Sequence, residues 1–188
     1  MRVFIALPLP QEAATVLADW AHDFSLINSF PLRLFSEEEM HLTIIPPWQA
    51  EENELETFKK IINKAAQLSK PIFMELNKIS YGTNEDNPRL IWATGPYLPK
   101  AEELRNRIYG LLKEVNSGPD VIQYPRILTH ITMIRFGEES LGKPKTRLNE
   151  KIVVRADLSG VSLFESVPSS NGTRYKNIYL KEFGKGQH

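Results

Sequence analysis

The sequence contains no cysteine among its 188 residues. This absence excludes disulfide bonds, thiolate nucleophiles and cysteine-ligated zinc sites together. A chain without disulfides also fits the reducing environment of the cytoplasm, where we expect this protein to act.

The chain also has no excess of charge of either sign, since 23 basic side chains balance 23 acidic ones. A protein that binds long nucleic-acid duplexes usually carries a basic excess that displaces counterions from the phosphates. We therefore expect no long-duplex binding, and any anion site should be a local basic pocket.

Long apolar runs are missing as well. The run VFIAL near the N-terminus is too short for a signal peptide or a membrane span, and Pro8 and Pro10 follow it closely. It leads into an amphipathic segment, so we interpret it as a first buried strand and expect no membrane partner.

Alternating and continuous apolar patterns predict more strands than helices. Three segments with helical spacing begin after Pro10, near Leu55 and near Pro99, and short runs rich in Val, Ile and Phe surround them. Because strands and helices do not alternate strictly, the sequence predicts an α+β fold with largely antiparallel sheets.

Two of the four histidines stand in matching contexts, HLTI from His41 and HITM from His130. Successive side chains of a strand point to opposite faces, so each histidine shares a face with the threonine two residues later, Thr43 or Thr132. The intervening aliphatic residues can anchor the other face in a core. Two such strands across a groove would place two imidazoles and two hydroxyls around one anion.

This combination of groups suits the hydrolysis of a cyclic phosphodiester. One imidazole can deprotonate water and the other can protonate the departing sugar oxygen, because the unperturbed pKa of histidine is about 6.5. Threonine hydroxyls can donate to the non-bridging phosphate oxygens. A metal is not required, and two histidines with two hydroxyls are too few ligands for zinc. From the symmetry of the motifs, either ring can be the acid.

The paired His-x-Thr-x motifs resemble those of the 2H phosphoesterase superfamily, and the chain is similar to its RNA 2',3'-cyclic phosphodiesterases, formerly called 2'-5' RNA ligases. The resemblance extends to RVFIALPLP, RLIWATG and SLFESVPSSNGTRYKNIYLKEF. It implies that residues 1–188 form one bilobal domain, with one motif in each of two pseudo-symmetric lobes and the cleft between them. It also implies that His41 is the proton donor, that His130 activates water, and that Thr43 and Thr132 bind phosphate.

Further residues near the motifs are candidates on weaker grounds. The resemblance points to Arg135 as a phosphate ligand, although a regular strand would turn it to the face opposite His130. Trp48 can either stack on a base or pack in the core, and the prolines before it should end strand pairing. The acidic residues Glu37–Glu39 are expected to form an exposed turn, and for Arg174 and Tyr175 a structural role is favoured over nucleotide contact.

The function expected from the sequence is therefore metal-independent hydrolysis of RNA 2',3'-cyclic phosphate ends to 2'-phosphomonoesters by a monomer. The partner is an RNA terminus or a small cyclic nucleotide, and no cofactor is expected. Two alternatives stay open. One is a noncatalytic RNA- or nucleotide-binding module of the same fold. The other is a phosphodiesterase acting on another small cyclic phosphate or on a 2'-5' oligonucleotide.

Overall fold

The computed structural model describes residues 1–28, 31–82, 88–120, 126–137, 147–170 and 172–184. Three α-helices and nine strands lie in these ranges. The helices are α1 (Gln11–Leu26), α2 (Leu55–Gln67) and α3 (Pro99–Glu114). The strands are β1 (Arg2–Pro8), β2 (Leu32–Leu34), β3 (His41–Gln49), β4 (Ile72–Gly82), β5 (Leu90–Thr94), β6 (His130–Phe136), β7 (Asn149–Leu158), β8 (Gly160–Val167) and β9 (Arg174–Glu182).

The strands form two sheets in which every described pair is antiparallel. Sheet A has four strands in the order β3-β1-β8-β9, and sheet B has five in the order β2-β6-β5-β4-β7. The prediction of an α+β fold built from antiparallel sheets is confirmed.

The helices cover the sheets because each presents an apolar stripe. Helix α2 buries Phe58, Ile62 and Ala65 and packs against β8 and β9 of sheet A. Helix α1 packs against sheet B, and α3 contacts both α2 and β3. Burial of such side chains is the main favourable term for folding. In the described part of the chain, no helix is both long enough and apolar enough to cross a membrane.

Strand β3 continues through Pro46 and Pro47, so the prediction that these prolines end strand pairing is wrong. Beyond them, Trp48 pairs with Val3, and Gln49 pairs with Arg2. The prolines are tolerated because they fall at a register shift between Ile45 and Trp48, on an edge strand where a missing backbone N–H can face away from the sheet.

Candidate active site

The two histidine motifs lie on different sheets that approach each other. β3 is the edge strand of sheet A, whereas β6 lies in sheet B between β2 and β5. The two strands are nevertheless in contact. Segments about ninety residues apart in the sequence are therefore brought together by the packing of one sheet beside the other.

Each motif places its polar and apolar residues on separate faces. The two histidines and the two threonines are half-buried, and the residues that alternate with them are fully buried in the core: Leu42, Ile44, Ile131 and Met133. This is the alternation that the sequence predicts for His41, Thr43, His130 and Thr132. The apolar anchors hold each imidazole and hydroxyl on a rigid strand.

The two imidazoles are oriented by the same local hydrogen bond. Nδ1 of His41 lies 2.6 Å from the carbonyl oxygen of Glu39, and Nδ1 of His130 lies 2.9 Å from that of Leu128. A carbonyl oxygen only accepts, so in each ring Nδ1 donates and carries the proton. Nε2 of the neutral ring is then the basic nitrogen, and it is available for proton transfer.

Aromatic rings enclose His41 on sheet A. Its ring centroid lies 4.9 Å from that of Phe4, 5.0 Å from that of Phe164 and 5.4 Å from that of Tyr175. The charged imidazolium is poorly solvated beside these apolar groups.

Burial accordingly lowers the pKa of His41 to about 4, although its hydrogen bond to the Glu39 carbonyl opposes the shift. Positive charge on His130 lowers the pKa of His41 further, whereas negative charge on Glu39 raises it. The geometric basis for placing the two motifs together is the contact between β3 and β6.

His130 has a different neighbour. Its ring centroid lies 5.0 Å from that of Trp92 on β5, and Trp92 is held by donation from its Nε1 to the hydroxyl of Ser80 at 3.2 Å. Burial lowers the pKa of His130 below its usual range, and the hydrogen bond to Leu128 opposes the shift. Both rings therefore favour the neutral form near neutral pH.

A register shift in sheet B turns Arg135 to the face of His130. Ile91 pairs with Ile134, but the next residue of β5, Trp92, pairs with Thr132, so Met133 is the extra residue of a bulge. Met133 and Ile134 are consecutively buried, after which Arg135 is half-buried. A bulge changes which face the following side chains occupy. It supplies the irregularity that Arg135 needs to reach the candidate site.

Arg33 and Glu39 are features of the site that sequence reasoning missed. Arg33 pairs with Arg135 across β2 and β6, and its Nη2 lies 2.6 Å from Oε1 of Glu39. Glu39 is buried, and its carboxylate also lies 3.4 Å from Nη1 of Arg174 and accepts from the backbone N–H of Tyr175. The prediction of an exposed acidic turn is therefore wrong for Glu39. The acidic triplet gives no signal for its partners on β9, which lie far along the chain.

Trp48 belongs to the core. Its side chain is buried and meets Phe58 of α2 edge to face, with ring centroids 5.5 Å apart. A buried indole is not available to a nucleotide base, so of the two alternatives the structure favours packing.

Other parts of the described structure offer weaker candidates. One surface pocket, of about 190 Å³, is lined by Pro8–Pro10 and by parts of β8 and β9. A second, of about 220 Å³, is lined by residues 68–70 and by α3. Neither contains a histidine. Within the described ranges, no group of three or more His, Cys, Asp or Glu side chains is placed to hold a metal ion.

The comparisons with known proteins agree with this fold. Residues 7–92 match the family model described as LigT like Phosphoesterase, a range that includes the first motif and ends before the second. Sequence comparison with curated proteins gives no match. Among solved structures, the chain is similar to TT0787 of Thermus thermophilus, with 20% identity, complete coverage of both chains and a TM-score of 0.81.

The chain is also similar to E. coli LigT. The LigT complex with 3'-AMP gives 17% identity over 98% of both chains and a TM-score of 0.67, and the complex with NADP+ gives 17% identity, the same coverage and a TM-score of 0.66. Sequence identities this low show a shared fold and nothing more. Residues 7–92 therefore resemble a LigT-like phosphoesterase in sequence, and the chain shares the LigT fold along nearly its whole length.

Proposed function

We propose that the protein hydrolyses RNA 2',3'-cyclic phosphate ends to 2'-phosphomonoesters by two-histidine acid–base catalysis without a metal. The observation that supports the proposal is that His41 and His130 have matching local surroundings. In each, a carbonyl two residues before the histidine fixes Nδ1 and leaves Nε2 free, and a threonine shares its face. The LigT-like match and the fold support phosphoesterase chemistry.

The proposed reaction has one proton transfer at each ring. The neutral imidazole of one histidine accepts a proton from water, whose oxygen attacks phosphorus. The bond from phosphorus to the 3'-oxygen breaks, and the imidazolium of the other histidine donates a proton to that oxygen. By resemblance, His130 is the base and His41 the acid. The hydroxyls of Thr43 and Thr132, with Arg135, stabilise the charge that develops on the non-bridging oxygens.

Substrate binding would create the protonation state that this reaction needs. Burial lowers the pKa of His41 to about 4, so the free protein holds a neutral ring there at neutral pH. An anionic phosphate beside the ring favours the imidazolium and raises that pKa. The proton donor is thus formed in the complex with the substrate.

Small nucleotides are bound in solved structures of a similar protein. E. coli LigT has been crystallised with 3'-AMP, with NADP+ and with ATP. The complex with ATP is similar to the present chain with a TM-score of 0.57. We propose that the present chain binds the same class of molecule at its paired histidines.

The test is hydrolysis of a 2',3'-cyclic nucleotide, with identification of the phosphomonoester product. His41→Ala and His130→Ala should each lower kcat by at least about a hundredfold, the usual contribution of a general acid or base. His22→Ala is the matched control, because His22 is exposed on α1 away from the motifs. Activity should persist in a chelator.

The outcomes separate the proposal from its alternatives. Near-wild-type kcat in either motif variant would refute the assignment of that histidine. Nucleotide binding without turnover would instead favour the noncatalytic module. Faster turnover of another cyclic phosphate or of a 2'-5' oligonucleotide would keep the chemistry and change the substrate.

A further inference from the structure

Arg33 is a buried arginine that is only partly satisfied. Its side chain is 8% exposed, and the Glu39 carboxylate meets it only at Nη2. Nε and Nη1 are buried and have no hydrogen-bond partner among the described residues. These two nitrogens carry three of the five N–H donors of the guanidinium group, one on Nε and two on Nη1. Leaving such donors unsatisfied is costly.

The surroundings hold Arg33 in place. The guanidinium carbon lies 4.1 Å from the ring centroid of Phe35 and 5.7 Å from that of Tyr175. The ion pair with Glu39 fixes the far end of the side chain, because that carboxylate also accepts from the backbone N–H groups of Ser36 and Tyr175. The free donors therefore belong to a rigid group and not to a mobile surface side chain.

Positive charge exceeds negative charge around Arg33. Arg135 lies directly opposite on β6, and Arg174 approaches from β9. In the described part of the chain, no carboxylate pairs with Arg135, and Glu39 is the one acid that pairs with Arg33 and Arg174. Two cations thus share one carboxylate, and a third stands opposite Arg33. An anion with several acceptor oxygens would balance this charge and satisfy the free donors.

Arg33 lies farther from the paired histidines than Arg135 does. Arg135 follows Thr132 by three residues on β6, a strand distance of about 10 Å, and Arg33 stands beside Arg135. Tyr175 connects the two regions, since its ring also contacts His41. An anion at Arg33 would therefore lie next to a phosphate held between the histidines and would not replace it.

We propose that Arg33, with Arg174, binds a second phosphate of the substrate: the phosphodiester that joins the terminal nucleotide to the preceding one. This inference rests on the proposed function, and it deepens that function. It makes the protein selective for the end of an oligonucleotide over a free cyclic mononucleotide.

The experiment compares two dinucleotides that end in a 2',3'-cyclic phosphate. One has the natural phosphodiester between its nucleosides, and the other has an uncharged methylphosphonate there. Wild-type kcat/KM should be at least about tenfold higher for the charged dinucleotide, which is the usual effect of one charge-assisted hydrogen bond. This comparison needs no variant protein, so no loss of folding can obscure it.

The role of Arg33 is then tested by the same ratio of kcat/KM values. Arg33→Met should bring the ratio to within about twofold of one, and Arg33→Lys should keep part of it. Arg155→Met is the matched control, because Arg155 also pairs with a glutamate, Glu75, but through a solvent-exposed ion pair between β7 and β4 of sheet B. If Arg33→Met does not fold by circular dichroism, the double variant Arg33→Met/Glu39→Gln removes the buried carboxylate charge that has lost its shortest ion pair.

Binding measurements distinguish failure of this inference from failure of the proposed hydrolysis. The probe is a 2'-phosphorylated dinucleotide with either linkage, and its affinity is measured by calorimetry. Charge-dependent, Arg33-dependent binding without turnover would support the second phosphate site and refute the hydrolysis. Equal wild-type values for the two linkages, or an equal fall of the ratio in Arg155→Met, would overturn the inference. Neither binding nor turnover would overturn both.

Discussion

We expect the folded protein to lose stability as the pH falls from 7 to 5, because its structure disfavours protonation of His41. The ring is enclosed by Phe4, Phe164 and Tyr175, and burial lowers its pKa to about 4 from an ordinary 6.5. In this pH interval the unfolded chain binds a proton that the folded chain does not. The free energy of unfolding therefore decreases as the pH falls.

The size of this effect follows from the two pKa values. With 6.5 in the unfolded chain and about 4 in the folded one, the loss is about 2 kcal/mol between pH 7 and pH 5 and approaches about 3 kcal/mol at lower pH. The ring is half-buried and keeps some contact with solvent, so these figures are upper bounds. Burial also lowers the pKa of His130, which adds a loss of the same sign.

The assay is urea denaturation of the wild type, His41→Asn and His22→Asn at pH 7, 6 and 5. Asparagine can keep the donor to the Glu39 carbonyl but does not titrate. Most carboxylates remain ionised at pH 5, so the histidines dominate the change. His41→Asn should lose less stability than the wild type over this range, by up to about 2 kcal/mol, and His22→Asn should follow the wild type. The same pH dependence in His41→Asn and in the wild type would refute the reasoning.

Three further outcomes are expected. The pH optimum of kcat/KM should lie below 6.5, because burial lowers the pKa of both motif histidines in the free protein. The optimum of kcat should lie at a higher pH, because bound phosphate raises the pKa of the histidine beside it. A kcat/KM optimum above pH 7 would contradict this expectation. Thr43→Val and Thr132→Val should each lower kcat/KM for the cyclic nucleotide by about 10- to 100-fold, because each loses one hydrogen bond to the charged phosphate. Unchanged kinetics would show that the substituted threonine does not bind the phosphate. Trp48→Ala should lower the free energy of unfolding by about 3–5 kcal/mol in denaturant titration, and a raised KM without loss of stability would instead favour base stacking.

The parts of the fold that follow local patterning could be predicted from the sequence. The alternation around His41 and His130 predicts which side chains are buried, since a two-residue period is a property of a single strand. Pro99 predicts the first turn of α3 for an equally local reason. In both cases the governing interactions lie within a few residues of the signal.

What could not be predicted depends on pairing between distant segments. The face that Arg135 occupies is decided by a bulge against β5, and the burial of Glu39 is decided by Arg33 and by β9. Strand pairing past Pro46 depends on β3 being an edge strand. Only Glu39 has a local marker, since it caps the turn that begins at Ser36, and the other two facts come from a neighbour set by the tertiary structure.

The same distinction bears on how two identical motifs come to hold two different histidines. Acid–base catalysis by a pair requires unequal rings, yet His-x-Thr-x and its hydrogen bond from Nδ1 are the same on both strands. The inequality comes from the surroundings: three aromatic rings contributed by β1, β8 and β9 enclose His41, whereas Trp92 is the aromatic neighbour described for His130. Burial lowers the pKa of both rings, and the charge of His130 adds to that effect at His41. The difference between the rings is therefore a property of the two sheets and not of the motifs. Substitutions at Phe4 or Phe164, which leave both histidines in the sequence, should change the pH dependence of kcat/KM.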